Sequence, residues 1–175
     1  MPNRRQMLAI GGGGLAALVA PRILRAAGVA EITMGGTARG EHVWFTPAGL
    51  LVEAGTVLRF TNRDAGNSHT ATCYHPDLFD RPLRTPAGAT PWDSGFLLPG
   101  ESFEVPMTVP GVYDYYCLPH EHSGMVGRIV VGRPGDAGWR GAATGAGDLP
   151  EAALNGFPDV EAILTAGRAQ QREGA

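Results

Sequence analysis

The sequence of 175 residues contains no lysine, because all 14 of its basic residues are arginine, and we draw no functional conclusion from that bias. Its longest apolar run, residues 7–20, is too short for an ordinary membrane-spanning helix, which takes about 20 residues. Only two cysteines are present, so at most one disulfide can form within the chain. Glycine and proline are abundant instead, at 26 and 14 residues, which disfavours a long helical bundle and favours short elements joined by turns.

The first 30 residues resemble an export signal more than part of a folded domain. An arginine pair at positions 4–5 stands in a short polar start, a weakly apolar segment follows over residues 7–20, and small residues fill 26–30. This order is typical of a twin-arginine leader. Cleavage after Gly28 or after Ala30 would leave small residues at the recognition positions. Retention of the leader as an uncleaved anchor stays open.

Without that leader the chain is acidic. Residues 31–175 contain ten arginines against 17 acidic residues, a net charge of −7, because the leader holds four arginines and no acidic residue. Contacts with nucleic-acid phosphates need basic side chains, so this composition argues against a nucleic-acid-binding protein. The negative charge would instead favour docking to a basic partner protein.

Short apolar or alternating runs, broken by turn residues, fill the middle of the chain and predict β-strands. The predicted strands are residues 31–34, 42–46, 50–53, 56–62, 69–74, 102–108, 111–117 and 126–131. Pro106 lies inside one of them and indicates an edge strand, because proline cannot donate a ladder hydrogen bond. So many short strands in one stretch favour an all-β sandwich or barrel.

The character of the sequence changes at Gly132. Residues 132–147 are rich in glycine and predict a linker. Two short helices should follow, the first capped by Asp148 and the second running from Pro158 to about Ala166. This tail either packs on the β-domain or becomes ordered only against a partner. The predicted division is a leader at 1–30, a β-domain at 31–132 and a linker with a helical tail at 133–175.

The segment Cys117–Met125 carries the most chemical information. It places a thiolate, an imidazole and a thioether at Cys117, His120 and Met125, on one loop between two predicted strands. Soft sulfur together with imidazole suits copper, and two histidines and a cysteine with a weak axial methionine form the blue-copper arrangement. A second imidazole must come from elsewhere. His69 is the candidate, and because it precedes Cys117 by 48 residues only the fold can bring the two together.

Residues 41–132 resemble the plastocyanin-like cupredoxins, a family of small blue-copper proteins. The matching residues are Phe45-Thr46-Pro47, Leu51-Val52, Gly55, Val57, Phe60, Asn62, His69, Tyr115-Tyr116-Cys117-Leu118-Pro119-His120 and Gly124-Met125-Val126-Gly127. The ligand-loop pattern Cys-x-x-His-x-x-x-x-Met is present in full. The resemblance implies a Greek-key β-sandwich that holds one type 1 copper ion.

The same resemblance implies the roles of the site residues. His69, Cys117 and His120 would be the strong ligands, and Met125 would be the axial ligand. The ring edge of His120 would be the electron port, set in an apolar patch.

The roles of three neighbouring residues stay open. Thr70 stands where many members of the family carry an asparagine that ties the ligand loops together, and its hydroxyl could replace part of that link. Tyr116 resembles the residue on the family's second electron route, and it is equally well explained as a packed strand aromatic. Cys73 is predicted to be a buried thiol, with a Cys73–Cys117 disulfide in the metal-free protein as the alternative.

Two further histidines need an interpretation. His122 lies two residues beyond a predicted ligand and is either a solvated side chain or a group that tunes docking or potential with pH. A second metal site built on His75, Asp77 and Asp80 is a minor alternative.

These observations predict a monomeric, periplasmic or otherwise extracytoplasmic one-electron carrier that exchanges electrons with partner proteins and is not an enzyme. Membrane association would follow only from an uncleaved leader. The first alternative is a copper-handling protein for delivery or storage, which a closed four-ligand site disfavours. The second is a copper reductase or oxidase, which would need another copper site. A dinuclear centre would need a second cysteine in the loop, and residues 118–125 contain none.

Overall fold

The computed structural model of the protein describes residues 28–171, so all but the end of the predicted leader lies outside the described residues. The strands are β1 (Val29–Gly36), β2 (Val43–Thr46), β3 (Gly49–Val52), β4 (Thr56–Asn62), β5 (Thr72–Cys73), β6 (Ser102–Met107), β7 (Gly111–Tyr116), β8 (Val126–Val131) and β9 (Arg168–Ala169). The helical segments are a 3₁₀ helix (Leu118–Ser123), α1 (Glu151–Gly156) and α2 (Val160–Ala166). None of the helices in this range is long and apolar enough to cross a bilayer.

The strands form two sheets that enclose one main hydrophobic core. One sheet has the order β2-β1-β4-β6 and the other has the order β5-β7-β8-β3-β9. The pairs β1–β4 and β3–β8 are parallel, whereas the other pairs are antiparallel. Buried side chains from both sheets meet in the space between them. The predicted all-β cupredoxin sandwich with a short helical C-terminal extension is confirmed.

Alternation of buried and exposed side chains accounts for the outer strands. In β6 the side chains of Val105 and Met107 are buried, while Glu104 and Pro106 are exposed. Among the described strands β6 pairs only with β4, so it lies at the edge of its sheet. Pro106 therefore occupies the edge position that the sequence predicts for it.

The centre of the core is built around Tyr115, whose side chain is fully buried. Its ring packs edge-on against Phe45 and Phe60, with centroid distances of 4.7 Å and 5.2 Å. On the neighbouring strand, a Cβ atom at Gly127 would overlap the Tyr115 ring, so glycine is required there. Burial of aromatic side chains of this size stabilises the sandwich by roughly 1.5–3 kcal/mol each.

The C-terminal tail packs on the β-domain, which decides the alternative that the sequence leaves open. Every residue of β7 and β8 is buried, which is unusual for an antiparallel pair and requires that both faces be covered. On the outer face, Val112 and Val130 pack with Ile163 of α2. Strand β9 also extends the sheet by pairing with β3.

A buried ionic cluster fastens this tail to β7 and β8. Asp114 accepts hydrogen bonds from Arg84 at 3.0 Å and from Arg128 at 2.7 Å. Both guanidinium groups lie 5.1 Å from the centroid of the Phe157 ring. The arginines also donate to tail carbonyl groups, at Gly145 and Pro158 respectively. Because the carboxylate and both cations are paired, the cluster can be buried without an isolated charge.

The structure corrects two details of the sequence-based prediction for the tail. Asp148 does not cap α1, which begins after Pro150 without a side-chain cap, and Asp148 instead forms a salt bridge with Arg81. The second helix begins at Val160 and not at Pro158, because Asp159 is its cap; its end at Gly167, whose φ of 77° lies in the left-handed region that favours glycine, agrees with the prediction.

Two predicted strands differ from the observed ones by more than one residue at an end. The segment predicted at 69–74 forms only the two-residue strand β5, because its first residues belong to a hydrogen-bonded loop at the site. Strand β1 begins at Val29 and pairs Val29 and Ala30 with Val57 and Leu58, so it includes two residues assigned to the leader.

Candidate metal centre

Three ligand-type side chains meet at one end of the sandwich. The nitrogen and sulfur atoms of His69, Cys117 and His120 lie within 4.8 Å of one another. The Cys117 Sγ atom is 3.6 Å from His69 Nδ1 and 3.4 Å from His120 Nδ1. Within residues 28–171 this is the one such group of histidine, cysteine and acidic side chains. His69 and Cys117 are fully buried, whereas His120 is partly exposed.

The loop from Cys117 to Met125 owes its shape to backbone hydrogen bonds. The Cys117 N–H donates to the Met125 carbonyl at 3.0 Å, and the His120 N–H donates to the Cys117 carbonyl at 3.0 Å. The Met125 N–H donates to the His120 carbonyl at 3.2 Å. Gly124, with a φ of 77°, ends the 3₁₀ helix in the left-handed conformation. The backbone therefore fixes Cys117, His120 and Met125 as one unit, and the Met125 side chain is fully buried in the main core.

Thr70 provides the connection between the two ligand loops. The Thr70 N–H donates to Cys117 Sγ at 3.3 Å, and the Leu118 N–H donates to the Thr70 hydroxyl at 2.8 Å. The hydroxyl also lies 3.0 Å from that of Thr72, which donates to Asp93 at 2.7 Å. The link that the sequence left open for this threonine is present, and it ties the cysteine sulfur to the loop that carries His69.

Asp64 holds the other side of His69, a role that the sequence does not predict. Its Oδ2 atom lies 3.0 Å from His69 Nε2, and its Oδ1 atom accepts the Gly66 N–H at 2.8 Å. Burial raises the pKa of Asp64, but hydrogen bonds from Asn67, Gly66 and His69 outweigh it and lower the pKa to about 2. The signal in the sequence was an aspartate two residues before a glycine, which predicts a turn and nothing more.

The protonation states suit metal binding. Burial raises the pKa of Cys117 to about 11, so the thiol keeps its proton at neutral pH in the metal-free protein. Burial, together with the nearby His69, lowers the pKa of His120, so its ring is a neutral ligand at that pH. A metal ion must therefore displace the Cys117 proton, and its charge then stabilises the thiolate.

The donor set fits a copper ion. Metal–sulfur and metal–nitrogen bonds of about 2.3 Å and about 2.0 Å, as for zinc, span at most about 4.3 Å. The observed separations of 3.6 Å and 3.4 Å between Sγ and the two Nδ1 atoms let one ion contact the sulfur together with either nitrogen. Soft thiolate with imidazole nitrogen is the combination that copper prefers in electron-transfer sites.

A buried cluster lies behind the ligand loop, next to Tyr116, and no pattern in the sequence indicated it. Tyr116 stacks on Tyr74 with a centroid distance of 4.3 Å, and the Arg81 guanidinium lies 5.4 Å from the Tyr116 centroid. Glu121 of the ligand loop accepts the Tyr74 hydroxyl at 2.8 Å and forms a salt bridge with Arg81. Because Tyr116 is only 1 % exposed, it has no free edge at the surface.

The tail contacts the ligand loop directly. The Gln171 side chain donates to the Gly124 carbonyl at 2.9 Å, and Arg81 bridges Glu121 of the loop to Asp148 of the tail. Helix α1 packs on the same loop at Gly156, where a Cβ atom would come within 2.8 Å of the Gly124 carbonyl oxygen. The tail is therefore part of the support of the site.

The remaining candidate residues lie outside the donor cluster. Cys73 is a fully buried free thiol, as predicted, and it forms no disulfide with Cys117. Its Sγ atom accepts the Trp92 N–H at 3.2 Å. His122 is exposed. His75 lies 3.6 Å from Asp77 between Nδ1 and Oδ2 and belongs to no ligand group with Asp80 within residues 28–171.

Comparison with known proteins relates the chain to plastocyanins. Residues 32–132 match the family described as copper binding proteins, plastocyanin/azurin family. The chain is 32 % identical over 144 residues to a chloroplastic plastocyanin of Oryza sativa subsp. indica, covering 74 % of this chain and 88 % of the relative. It is 34 % identical over 116 residues to a chloroplastic plastocyanin of Chlamydomonas reinhardtii, covering 65 % and 75 %.

Among solved structures, a pseudoazurin from Sinorhizobium is 29 % identical, with a TM-score of 0.48 over 62 % of this chain and 77 % of that one. The donor cluster and the family match together show a site for one type 1 copper ion.

Gly156→Ala tests whether the tail supports the ligand loop. The new methyl group would collide with the Gly124 carbonyl and push α1 away, although alanine is the better helix former. We expect the free energy of unfolding, measured with urea, to fall by about 1–3 kcal/mol. We also expect a change in the copper hyperfine splitting of the EPR spectrum.

Gly141→Ala is the matched control, because a Cβ atom there meets only the Trp139 ring at ordinary contact distance. If the two variants had the same free energy of unfolding and the same copper hyperfine splitting, the tail and the ligand loop would be independent.

Proposed function

The chain belongs to the plastocyanin/azurin family of copper-binding proteins, and from that premise we propose that it is an extracytoplasmic one-electron carrier. The observation that carries the proposal is the convergence of His69, Cys117 and His120 in a site open to solvent only through His120. We propose these three residues as the strong copper ligands and Met125 as the axial ligand. The copper ion supplies the one-electron couple.

Rigidity of the ligand set supports electron transfer at this site. His69 is held by Asp64, Cys117 by the Thr70 N–H, and His120 by the backbone of its own loop. Ligands fixed by such outer contacts keep one arrangement in both oxidation states, which leaves little to reorganise when the charge changes. The same rigidity argues against a copper-delivery protein, since delivery needs exchangeable ligands.

The partly exposed edge of His120 is the proposed electron port. Leu118, in the ligand loop, is 36 % exposed. Phe96 and Leu98 are 59 % and 58 % exposed and flank Leu97, whose backbone pairs with that of His69. These three exposed side chains, Leu118, Phe96 and Leu98, are the apolar rim of the proposed port, and such a surface suits brief contact with a redox partner protein. The flank at Tyr116 is covered by Tyr74 and Arg81, so it offers no equivalent exposed edge.

The proposed extracytoplasmic location depends on the leader-like sequence at 1–30. The twin-arginine pattern there, and the chloroplastic plastocyanins among the relatives, support an exported protein. The partners are proposed to be a donor and an acceptor protein. An acidic mature chain is compatible with a basic surface on one of them.

Cys117→Ser tests the ligand assignment. The copper-loaded wild-type protein should show an intense blue thiolate-to-copper absorption band and a reversible one-electron couple, and the variant should lose the band because the hydroxyl is a poor copper ligand. Cys73→Ser is the control, since Cys73 lies outside the donor cluster, and it should keep the band. Stoichiometric copper without a band in the wild type would contradict the assignment. Rapid loss of copper to a chelator would favour the copper-handling alternative.

Leu118→Glu tests the port. A carboxylate on the apolar rim would repel its own copy in an encounter complex. We expect the electron self-exchange rate, measured by NMR line broadening in mixtures of oxidised and reduced protein, to fall about tenfold, which corresponds to about 1.4 kcal/mol. Ala54→Glu is the matched control, because it adds the same charge in the exposed turn before β4. That turn lies at the start of β4, whereas Asn62, which contacts the loop of the site, lies at its other end. Equal slowing by both variants would show an effect of net charge and not of the rim.

Replacement of Arg4 and Arg5 by lysine tests the export proposal. The charge is kept while the arginine pair is lost, so an export system that recognises the pair should leave the chain in the cytoplasm. Cell fractionation would measure the distribution, with Arg22→Lys as the control. Unchanged export of the double variant would contradict a twin-arginine route.

A further inference from the structure

Asp64 is a buried carboxylate on the outer nitrogen of His69, and it is 5 % exposed. We infer that Asp64 is a positioning residue that presents His69 Nδ1 to the copper, and that its negative charge favours the oxidised over the reduced copper. The inference deepens the proposed function and rests on it in one respect, since a lower reduction potential matters only to a protein that exchanges electrons.

The geometry determines which nitrogen of His69 faces the metal. His69 Nδ1 lies 3.6 Å from Cys117 Sγ, while Nε2 lies 3.0 Å from Asp64 Oδ2. An ionised carboxylate can only accept hydrogen bonds, so Nε2 must carry the proton. The lone pair is then on Nδ1, on the side of Cys117 and His120. A carboxylate on the far nitrogen also makes the ring a stronger ligand.

The hydrogen bonds around Asp64 require a carboxylate and not a carboxamide. Oδ1 accepts the Gly66 N–H at 2.8 Å and the Asn67 N–H at 3.3 Å. Oδ2 accepts the Asn67 side-chain amide at 2.9 Å and faces His69 Nε2 at 3.0 Å. An asparagine at position 64 has a single oxygen. That oxygen can accept hydrogen bonds from the loop N–H groups or from the histidine, but not from both.

The negative charge of Asp64 is not neutralised by a cation. Among residues 28–171, the one basic side chain within 4.0 Å of the Asp64 carboxylate is that of His69, the hydrogen-bond donor that Asp64 positions, and no arginine pairs with it. By contrast, the other buried aspartate, Asp114, is paired with Arg84 and Arg128. A buried and unpaired charge acts over a longer range than an exposed one, because water screens it less. It therefore stabilises the copper state that has the higher positive charge.

The neighbouring strand leaves room for this carboxylate. At Gly36, the last residue of β1, a Cβ atom would overlap Asp64 Oδ2. Gly36 does not have a positive φ, so the backbone there does not require glycine. The small residue is explained by the close approach of the carboxylate. It provides a way to displace Asp64 without changing it.

Asp64→Asn in the copper-loaded protein tests the inference. We expect the preference for oxidised over reduced copper to fall about tenfold, which raises the reduction potential by about 59 mV for one electron. Voltammetry measures the potential, and ¹⁵N NMR of the reduced protein reports which nitrogen of His69 carries the proton. Asn67→Ala is the matched control, because it removes a donor to the same Oδ2 atom but keeps the charge, and it should not raise the potential.

The outcomes separate this inference from the proposed function. A reversible couple in the wild type with no rise in potential in Asp64→Asn, or an equal rise in Asn67→Ala, would overturn the inference and leave the electron carrier intact. Absence of a reversible couple in the wild type would overturn the proposed function. If Asp64→Asn fails to load copper, Gly36→Ala decides, since displacing the carboxylate should also raise the potential. An unchanged reduction potential in Gly36→Ala would overturn the inference.

Discussion

The junction between the loop of His69 and the loop of Cys117 is the constraint on which the site depends. Strand β5 pairs with β7, which places Thr70 beside Cys117 although the two are 47 residues apart. The Thr70 N–H then contacts the sulfur, and its hydroxyl holds the first peptide N–H after Cys117. A geometry set by backbone pairing changes little when charge is added or removed, which is the condition for fast electron exchange.

The tail extends this support beyond the β-domain. It covers the outer face of β7 and β8, donates to the Gly124 carbonyl and is bridged to Glu121 through Arg81. The same packing buries Tyr116 behind Tyr74, so the residue next to Cys117 does not reach the surface. A segment that looks like an appendage in the sequence thus supports the ligand loop and leaves His120 as the exposed edge of the site.

The two buried aspartates of the described chain have different partners. Asp114 is neutralised by two arginines and serves to attach the tail. Asp64 accepts hydrogen bonds from Gly66, Asn67 and the histidine that it positions, but no arginine pairs with it. The first arrangement offsets part of the electrostatic cost of burial, whereas the second keeps a negative charge close to the metal centre.

Local patterns in the sequence were enough to predict eight of the nine described strands, at least in part, and the donor loop. Alternation and turn residues predicted β4 and β8 with their observed bounds, and the short spacing of Cys117, His120 and Met125 kept them in one loop, because local backbone geometry follows from local sequence. The need for a second imidazole made His69 the candidate, and the resemblance to a family supported it. The sequence could not show that Asp64 faces His69 or that Glu121, Arg81 and Tyr74 form one cluster. Nor could it show that the tail packs on the ligand loop. Those contacts join segments that only the folded sheets bring together, and a turn aspartate or a surface-like arginine looks the same in the sequence whether or not the fold buries it.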